Sequence, residues 1–283
     1  MIIFKTVAGV QQYLEKQLNA GKSIGFVPTM GALHMGHLSL INASKQRHHV
    51  TVASIFVNPT QFNDPKDFEK YPVTIDTDCE ALELHKTDVL FLPTVEEMYP
   101  LGTVTNSHYN LGELENVLEG KYRPGHFQGV CQVVERLLRI ISPNEIFIGQ
   151  KDFQQCMVIK RLIELMEPVR INIEIAPTLR EADGLAMSSR NMRLNAKERQ
   201  IATTIYQQLR NIKEQYGKAP IEVLKTQAVD ALLQNGFTKV DYVEIAEAST
   251  LQLQNEYNPD KKCVALVAAF INNVRLIDNI LLN

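Results

Sequence analysis

The chain has 283 residues, 45% apolar and 22% charged side chains and a net charge of -3, a globular composition with room for one large or two modest cores. The acidic balance excludes a dedicated nucleic-acid surface, which needs a concentrated excess of Lys and Arg, and the longest apolar run, residues 264–271, is far too short to span a bilayer. MIIFKT carries no secretory leader pattern, and Cys79, Cys131, Cys156 and Cys263 lie scattered with no Cys-x-x-Cys pair, which suits free thiols in a reducing cytoplasm rather than a disulfide framework or a zinc site.

Val7, Val10, Leu14 and Leu18 at helical spacing predict a first helix that stops at Gly21. Residues 24–27 then read as an apolar strand, Pro28 and Gly31 as a turn, and the next amphipathic segment opens with His34 and His37. A helix start exposes unpaired N–H groups and the positive end of the macrodipole, so it favours an anion. Two imidazoles at i and i+3 add donors on the same side, and Gly36 lets a ligand lie close to the backbone. This context supports a triphosphate cradle. Taken alone, the pair reads equally well as half a metal site or two surface histidines.

A strand over 50–57 is almost continuously apolar, as burial on both faces requires. The polar segment 58–74 (NPTQFNDPKDFEKYPVT) begins where that strand ends, at the edge where parallel sheets hold ligands. A helix over 75–86, with Ile75, Cys79 and Leu82 on one face, and a strand over 89–92 follow, whereas 94–120 shows no regular pattern. GKYRPGHFQGV (120–130) gathers three glycines and a proline around Lys121, Arg123 and His126. Next come a helix over 130–141, a strand over 145–148, the turn Gly149-Gln150-Lys151-Asp152, a helix over 153–166 and a strand over 169–176. This alternation predicts an α/β fold, a Rossmann-like doubly wound parallel sheet over residues 1–178. After a linker at 177–183, Asn195 and Glu198 form a capping box for one helix bearing Ile201, Ile205, Leu209 and Ile212. A helix over 221–235, strands over 240–245 and 264–270, and an Asn272-Asn273 turn into 274–277 complete a smaller α+β domain, residues 179–283.

Two further stretches carry chemistry. GLAMSSRN (184–191) offers two hydroxyls and a guanidinium that could grip phosphate oxygens opposite the histidines, although Ser-Ser-Arg alone is an ordinary solvated loop. Lys151 and Asp152, just past a strand's carboxyl end, fit a lysine reaching phosphates with an acid nearby, or an exposed helix-start pair. Together His34, His37, Lys151, Ser188, Ser189 and Arg190 form an inventory for phosphoryl or nucleotidyl transfer, which proceeds by positioning and charge stabilisation.

Six motifs give the chain a resemblance to the pantoate–β-alanine ligases, nucleotidyltransferases whose His-x-Gly-His element is shared with class I aminoacyl-tRNA synthetases. They are FVPTMGALHMGH (26–37), SIFVNPTQF (54–62), DFEKYP (67–72), RPGHFQGV (123–130), GQKDFQQ (149–155) and READGLAMSSRN (180–191). Two departures are Val73, where the family commonly has Arg, and Gln150, where it commonly has Glu. The resemblance implies ATP-dependent condensation of (R)-pantoate with β-alanine through a pantoyl adenylate, giving pantothenate, AMP and pyrophosphate. It implies His34, His37, Lys151, Ser188, Ser189 and Arg190 as catalytic, and ATP against Met30, Gly31, Ala32, Leu33, His34, Met35, Gly36, His37, Gly149, Gln150, Lys151, Asp152, Leu179, Met187, Ser188, Ser189 and Arg190. Gln61 and Gln155 match the pantoate-binding glutamines, while Met30, Phe56 and Val130 pack on pantoate's methyls or serve as plain core. It further implies Mg²⁺ held mainly by the ATP phosphates, a cytoplasmic homodimer, and loops 58–74 and 123–129 closing over the intermediate. Rival readings are a simple adenylyltransferase, a synthetase fragment, a non-catalytic nucleotide binder, and a metal hydrolase using His126 as third ligand.

Overall fold

The computed structural model describes residues 1–62, 68–103 and 108–283; the motif start at Asp67 and the middle of the 58–74 loop lie outside them. In chain order the elements are β1 (Ile2–Phe4), α1 (Val7–Asn19), β2 (Ile24–Thr29), α2 (Met35–Arg47), β3 (Val50–Ile55), α3 (Ile75–Leu84), β4 (Val89–Phe91), α4 (Val95–Met98), α5 (Leu118–Tyr122) and α6 (His126–Ile141). They continue with β5 (Glu145–Gly149), α7 (Phe153–Leu165), β6 (Asn172–Ala176), α8 (Ala196–Ala202), α9 (Thr204–Gln215), α10 (Ile221–Gln234), β7 (Lys239–Glu247), β8 (Cys263–Ile271) and β9 (Val274–Leu281).

β1 to β6 form one parallel sheet in the order β1-β4-β3-β2-β5-β6. The strand period of two divides its side chains between two cores. Ile24, Phe26, Val50, Val52, Val89, Phe91, Ile146 and Ile148 point toward α1, α6 and α7, where they meet Val10, Leu14, Val134, Leu138 and Ile159. Val27, Ala53, Ile55, Leu90 and Phe147 point to the other side, onto Leu40 and Ile41 of α2 and Leu82 of α3. Burial on both faces explains the unbroken apolar run of β3. The strand order reverses between β2 and β5, and a crevice opens at their carboxyl ends, as doubly wound sheets require.

β7, β8 and β9 form an antiparallel sheet. Ala265, Val267 and Ala269 of β8 pack with Leu209 of α9 and Leu224 and Leu232 of α10. Val264, Leu266 and Ala268 turn the other way and share a core with Leu118 of α5 and Phe153 of α7. The small sheet is thus buried on both faces, one of them against the larger unit. The expected α/β sheet and smaller α+β unit are both present. Among the described residues no helix is long and apolar enough to cross a membrane.

Several boundaries differ from expectation. α6 begins at His126 rather than residue 130, because Gly125 sits just outside it at φ 79° and Gly129 belongs to its first turn. A Cβ on Gly129 would stand 2.3 Å from the Thr60 carbonyl oxygen, so that glycine serves close packing and not a turn. The single helix expected through Ile201 and Ile212 is two, parted at Thr203, whose hydroxyl bonds back to the Gln200 carbonyl at 2.7 Å. β6 begins at Asn172 rather than residue 169. β1 had no sequence signal, being three residues on the sheet edge, and β9 runs four residues past its expected end at 277.

Candidate active site

The turn after β2 is built around a residue the sequence reading passed over. Gly31 and Ala32 are consecutively left-handed, at φ 82° and 48°, which aims successive N–H groups into one concavity. The occupant is Asp78 of α3: Ala32 N–H donates to Oδ2 at 2.9 Å, Leu33 N–H to Oδ1 at 2.8 Å, and the Thr74 hydroxyl to Oδ1 at 3.1 Å. Asp78 shares the apolar side of α3 with Ile75 and Leu82, and an acid in that stripe was the available signal. Gly31, Ala32 and Leu33, expected against ATP, therefore frame the site from behind and do not line its cavity.

His34 is the N-cap of α2. Its Nδ1 accepts from Gly36 N–H at 3.1 Å, and its own N–H donates to His37 Nδ1 at 3.4 Å. The rings stack with centroids 4.0 Å apart. Because both Nδ1 atoms accept from backbone, both imidazoles carry their proton on Nε2 and present it as a donor. The free first-turn N–H groups expected here are partly spent inside the motif. Gly36 is small for the same reason: a Cβ there would lie 2.8 Å from His34 Cε1.

Burial first, then Lys151, lowers His34 to about 4; burial first, then His34 and Lys151, lowers His37 to about 3. Both are neutral donors at pH 7. Catalysis at this site is accordingly expected to show no imidazole limb near pH 6.5 in kcat/KM, and an inflection there that vanishes in His34→Gln or His37→Gln would overturn this assignment. With folded values below the ordinary 6.5, the unfolded chain takes up these protons first. Stability is therefore undiminished above that value and falls as pH drops through the window from 6.5 toward 3.

A cavity of about 220 Å³ lies over the carboxyl ends of β2 and β5. Of the expected nucleotide and catalytic residues, Met30, His34, Gly36, His37, Gly149, Lys151, Asp152, Leu179, Met187, Ser188, Ser189 and Arg190 line it. So do Gln61, Gln155, Phe56 and Val130, the last two as buried core side chains. Met35 is 49% exposed and outside the cavity, and Gln150 turns away to Asn279. Ser188 caps the turn Ser189–Arg193 by accepting from Arg190 N–H at 3.3 Å, which leaves its hydroxyl hydrogen available to a ligand. Ser189 is buried and its hydroxyl donates to the Ala32 carbonyl at 3.0 Å, tying this turn to the histidine turn.

Gln61, also on the cavity, is clamped through its backbone. His126 Nδ1 donates to its carbonyl oxygen at 2.8 Å, and Arg123 donates to His126 Nε2 at 3.0 Å. Burial, then Arg123, lowers His126 to about 3, which suits this neutral tautomer. The Gln61 amide reaches Met30 Sδ at 2.9 Å. Asn58 braces the same turn, accepting from Tyr99 OH at 2.9 Å and donating to the Gly129 carbonyl at 3.3 Å. A larger cavity of about 570 Å³ between the two sheets adjoins the first, sharing Lys151, Asp152, Gln155, Ser188 and Arg190. His34 and His37 line only the smaller one, and His126 only the larger.

The family model described as pantoate-beta-alanine ligase matches residues 2–281. A pantothenate synthetase of Cytophaga hutchinsonii is 44% identical over 285 residues, covering 100% of this chain and 99% of its own. One of Flavobacterium psychrophilum is 45% identical over 283 residues, covering 99% of each. The crystal structure of pantothenate synthetase from Thermus thermophilus superposes with a TM-score of 0.88 at 36% identity, over 99% of each chain. The pantoate-beta-alanine ligase of Francisella tularensis, complexed with beta-gamma ATP and β-alanine, gives 0.84 at 36% identity over 99% of this chain and 97% of that one. Matched nearly end to end in sequence and in fold, the chain belongs to the pantoate-beta-alanine ligase family, enzymes that join pantoate to β-alanine.

Proposed function

We propose that this chain condenses pantoate with β-alanine in two steps through an enzyme-bound pantoyl adenylate. The observation that carries this is that His34, His37, Lys151, Ser188 and Arg190 line one cavity together with Gln61 and Gln155. In the first step an oxygen of the pantoate carboxylate bonds to the α-phosphorus of ATP and the bond to the bridging oxygen breaks, releasing pyrophosphate. That carboxylate is ionised at neutral pH, so no general base is needed. The site must instead stabilise phosphate charge, and His34 and His37 do so as neutral donors while Lys151 and Arg190 do so as cations. In the second step the neutral amine of β-alanine attacks the acyl carbon, AMP leaves with the bonding pair, and the amine's surplus proton passes to solvent.

Gln61 and Gln155 hold the pantoate hydroxyls, because neutral amides donate and accept without burying charge, and Met30, Phe56 and Val130 face its methyls. Among the described residues Asp152 is the carboxylate on the small cavity. One carboxylate beside a phosphate site fits a magnesium ion held mostly by the nucleotide, which when bound neutralises phosphate charge. Residues 1–178 carry most of the nucleotide and pantoate sites, and residues 179–283 add Leu179, Met187, Ser188, Ser189 and Arg190 and cover the sites as a lid that keeps water from the adenylate. We place the enzyme in the cytoplasm, where its four free thiols remain reduced, and as a homodimer, which light scattering would check.

Pyrophosphate release from Mg-ATP with pantoate alone is expected to give about one equivalent per site, one intermediate being held per enzyme. Adding β-alanine should convert this to steady turnover with AMP and pantothenate. Release that needs neither compound, or a released adenylylated product, would overturn the two-step reading.

A further inference from the structure

The turn that carries Lys151 follows β5 of the large sheet, yet its backbone is held by the small one. Asn279 Nδ2 donates to the Gln150 carbonyl at 3.0 Å and to the Lys151 carbonyl at 2.8 Å. Gln150 Nε2 donates back to Asn279 Oδ1 at 3.1 Å. Two carbonyl acceptors decide which end of the Asn279 amide is nitrogen, and its oxygen then needs a donor, which Gln150 supplies and a glutamate could not. Asn279 lies on β9 and is 2% exposed, so its side of these bonds is shielded from water.

Asn279 is itself fixed from the opposite side. Arg180 forks onto the Asp278 carboxyl at 2.6 and 3.0 Å and donates to the Asn279 carbonyl at 3.2 Å, while Asn279 N–H donates to Asp278 Oδ1 at 2.7 Å. Arg180 also opens the segment that leads to Ser188 and Arg190, bonding to the Gly184 carbonyl at 3.1 Å and stacking 3.9 Å over the Tyr206 ring. Two neighbouring residues of β9 therefore secure both segments that face the phosphates.

We infer that Asn279 is a positioning residue for Lys151. By gripping the two carbonyls that flank the Lys151 Cα, it sets where the ammonium stands over the small cavity and makes that position depend on the small sheet. The inference rests on the reading that Lys151 faces the nucleotide phosphates. An interface residue whose work is only to join the sheets would lower the melting temperature without acting through Lys151, and a double-mutant cycle separates the two.

Asn279→Leu keeps most of the volume and removes every hydrogen bond, and Asn279→Ala is its companion. Pantoate-dependent ATP–pyrophosphate exchange is expected to fall about tenfold in kcat in either variant, the scale of a small misplacement of a catalytic group, with the pantoate KM changed less than about twofold. In a Lys151→Ala background the same substitutions should change the rate less than about twofold, because the group they position is gone. Equal losses in both backgrounds, or no loss where Lys151 is present, overturn the inference. A Lys151→Ala enzyme with wild-type exchange would instead overturn the phosphate reading, so the two failures are distinguishable. Should neither Asn279 variant fold, Gln150→Ala removes only the returning bond, and a loss of about threefold confined to the Lys151 background decides in favour. An additive loss, or none, decides against.

Discussion

Replacing Lys151 with alanine is expected to lower pantoate-dependent pyrophosphate release by about 10²-fold or more, the scale of removing one preorganised donor from a site of developing charge. Lys151 lines both cavities and its side chain is 15% exposed, so its charge acts with little solvent between it and a ligand. Among the described residues its ion-pair partner is Asp152, with Oδ2 3.8 Å from the ammonium, a separation that leaves donor capacity for phosphate oxygens. Charge moves onto pyrophosphate as the bond to the α-phosphorus breaks, so the loss should fall mainly on kcat and less on ATP affinity. Lys151→Arg keeps the charge but spreads it over a planar fork, and is expected to recover only part of the rate. His37→Ala should lose turnover on the same scale through its Nε2–H. Wild-type turnover in either alanine variant would remove that residue from the mechanism.

Glu119→Ala should be strongly destabilising, costing about 3–5 kcal/mol, because it leaves the half-buried Arg275 guanidinium without its main partner. Glu119 lies on α5, 6% exposed, and accepts both Nη groups of Arg275 from β9 at 2.7 Å each and Tyr242 OH at 2.8 Å. Arg275 also donates to Asp241 at 2.8 Å. Burial by itself would raise the Glu119 carboxyl, but the Arg275 fork, with Arg123 and Tyr242, brings it down to about 2 from 4.5. A depressed folded value means that the stabilisation is present above about 4.5 and is lost as pH falls toward 2. Urea midpoints measured across that window should fall in the parent protein, with a smaller fall in Glu119→Gln. A Glu119→Ala variant with an unchanged midpoint at pH 7 would show that the pair contributes nothing net.

Much of the site was legible because its chemistry is local. The strand, glycine turn and His34–His37 helix start occupy fourteen consecutive residues between Ile24 and His37, and the tautomers follow from bonds within the motif. Lys151 and Ser188 could be placed at strand and turn ends from residue type alone. What was misread had a pattern with two physical explanations. Gly125 and Gly129 both look like turn residues, yet one ends a loop at positive φ and the other lets α6 touch the Thr60 carbonyl. Asp78 was passed over because a buried acid in an amphipathic helix becomes intelligible only when two distant N–H groups arrive to satisfy it.

The alternation of strands and helices and the division into a parallel-sheet unit and a smaller α+β unit were readable from the residues alone, since these rest on side-chain period along short stretches of chain. Which backbone groups remain open to a ligand and which are already spent, as at Ala32 and Leu33 on Asp78, emerged with the folded arrangement. It alone showed that Asn279 and Glu119 join the small sheet to the turn of Lys151 and to α5. Such pairings depend on which residues distant in sequence are buried together, where an unmet hydrogen bond or charge is costly, and no local pattern records that.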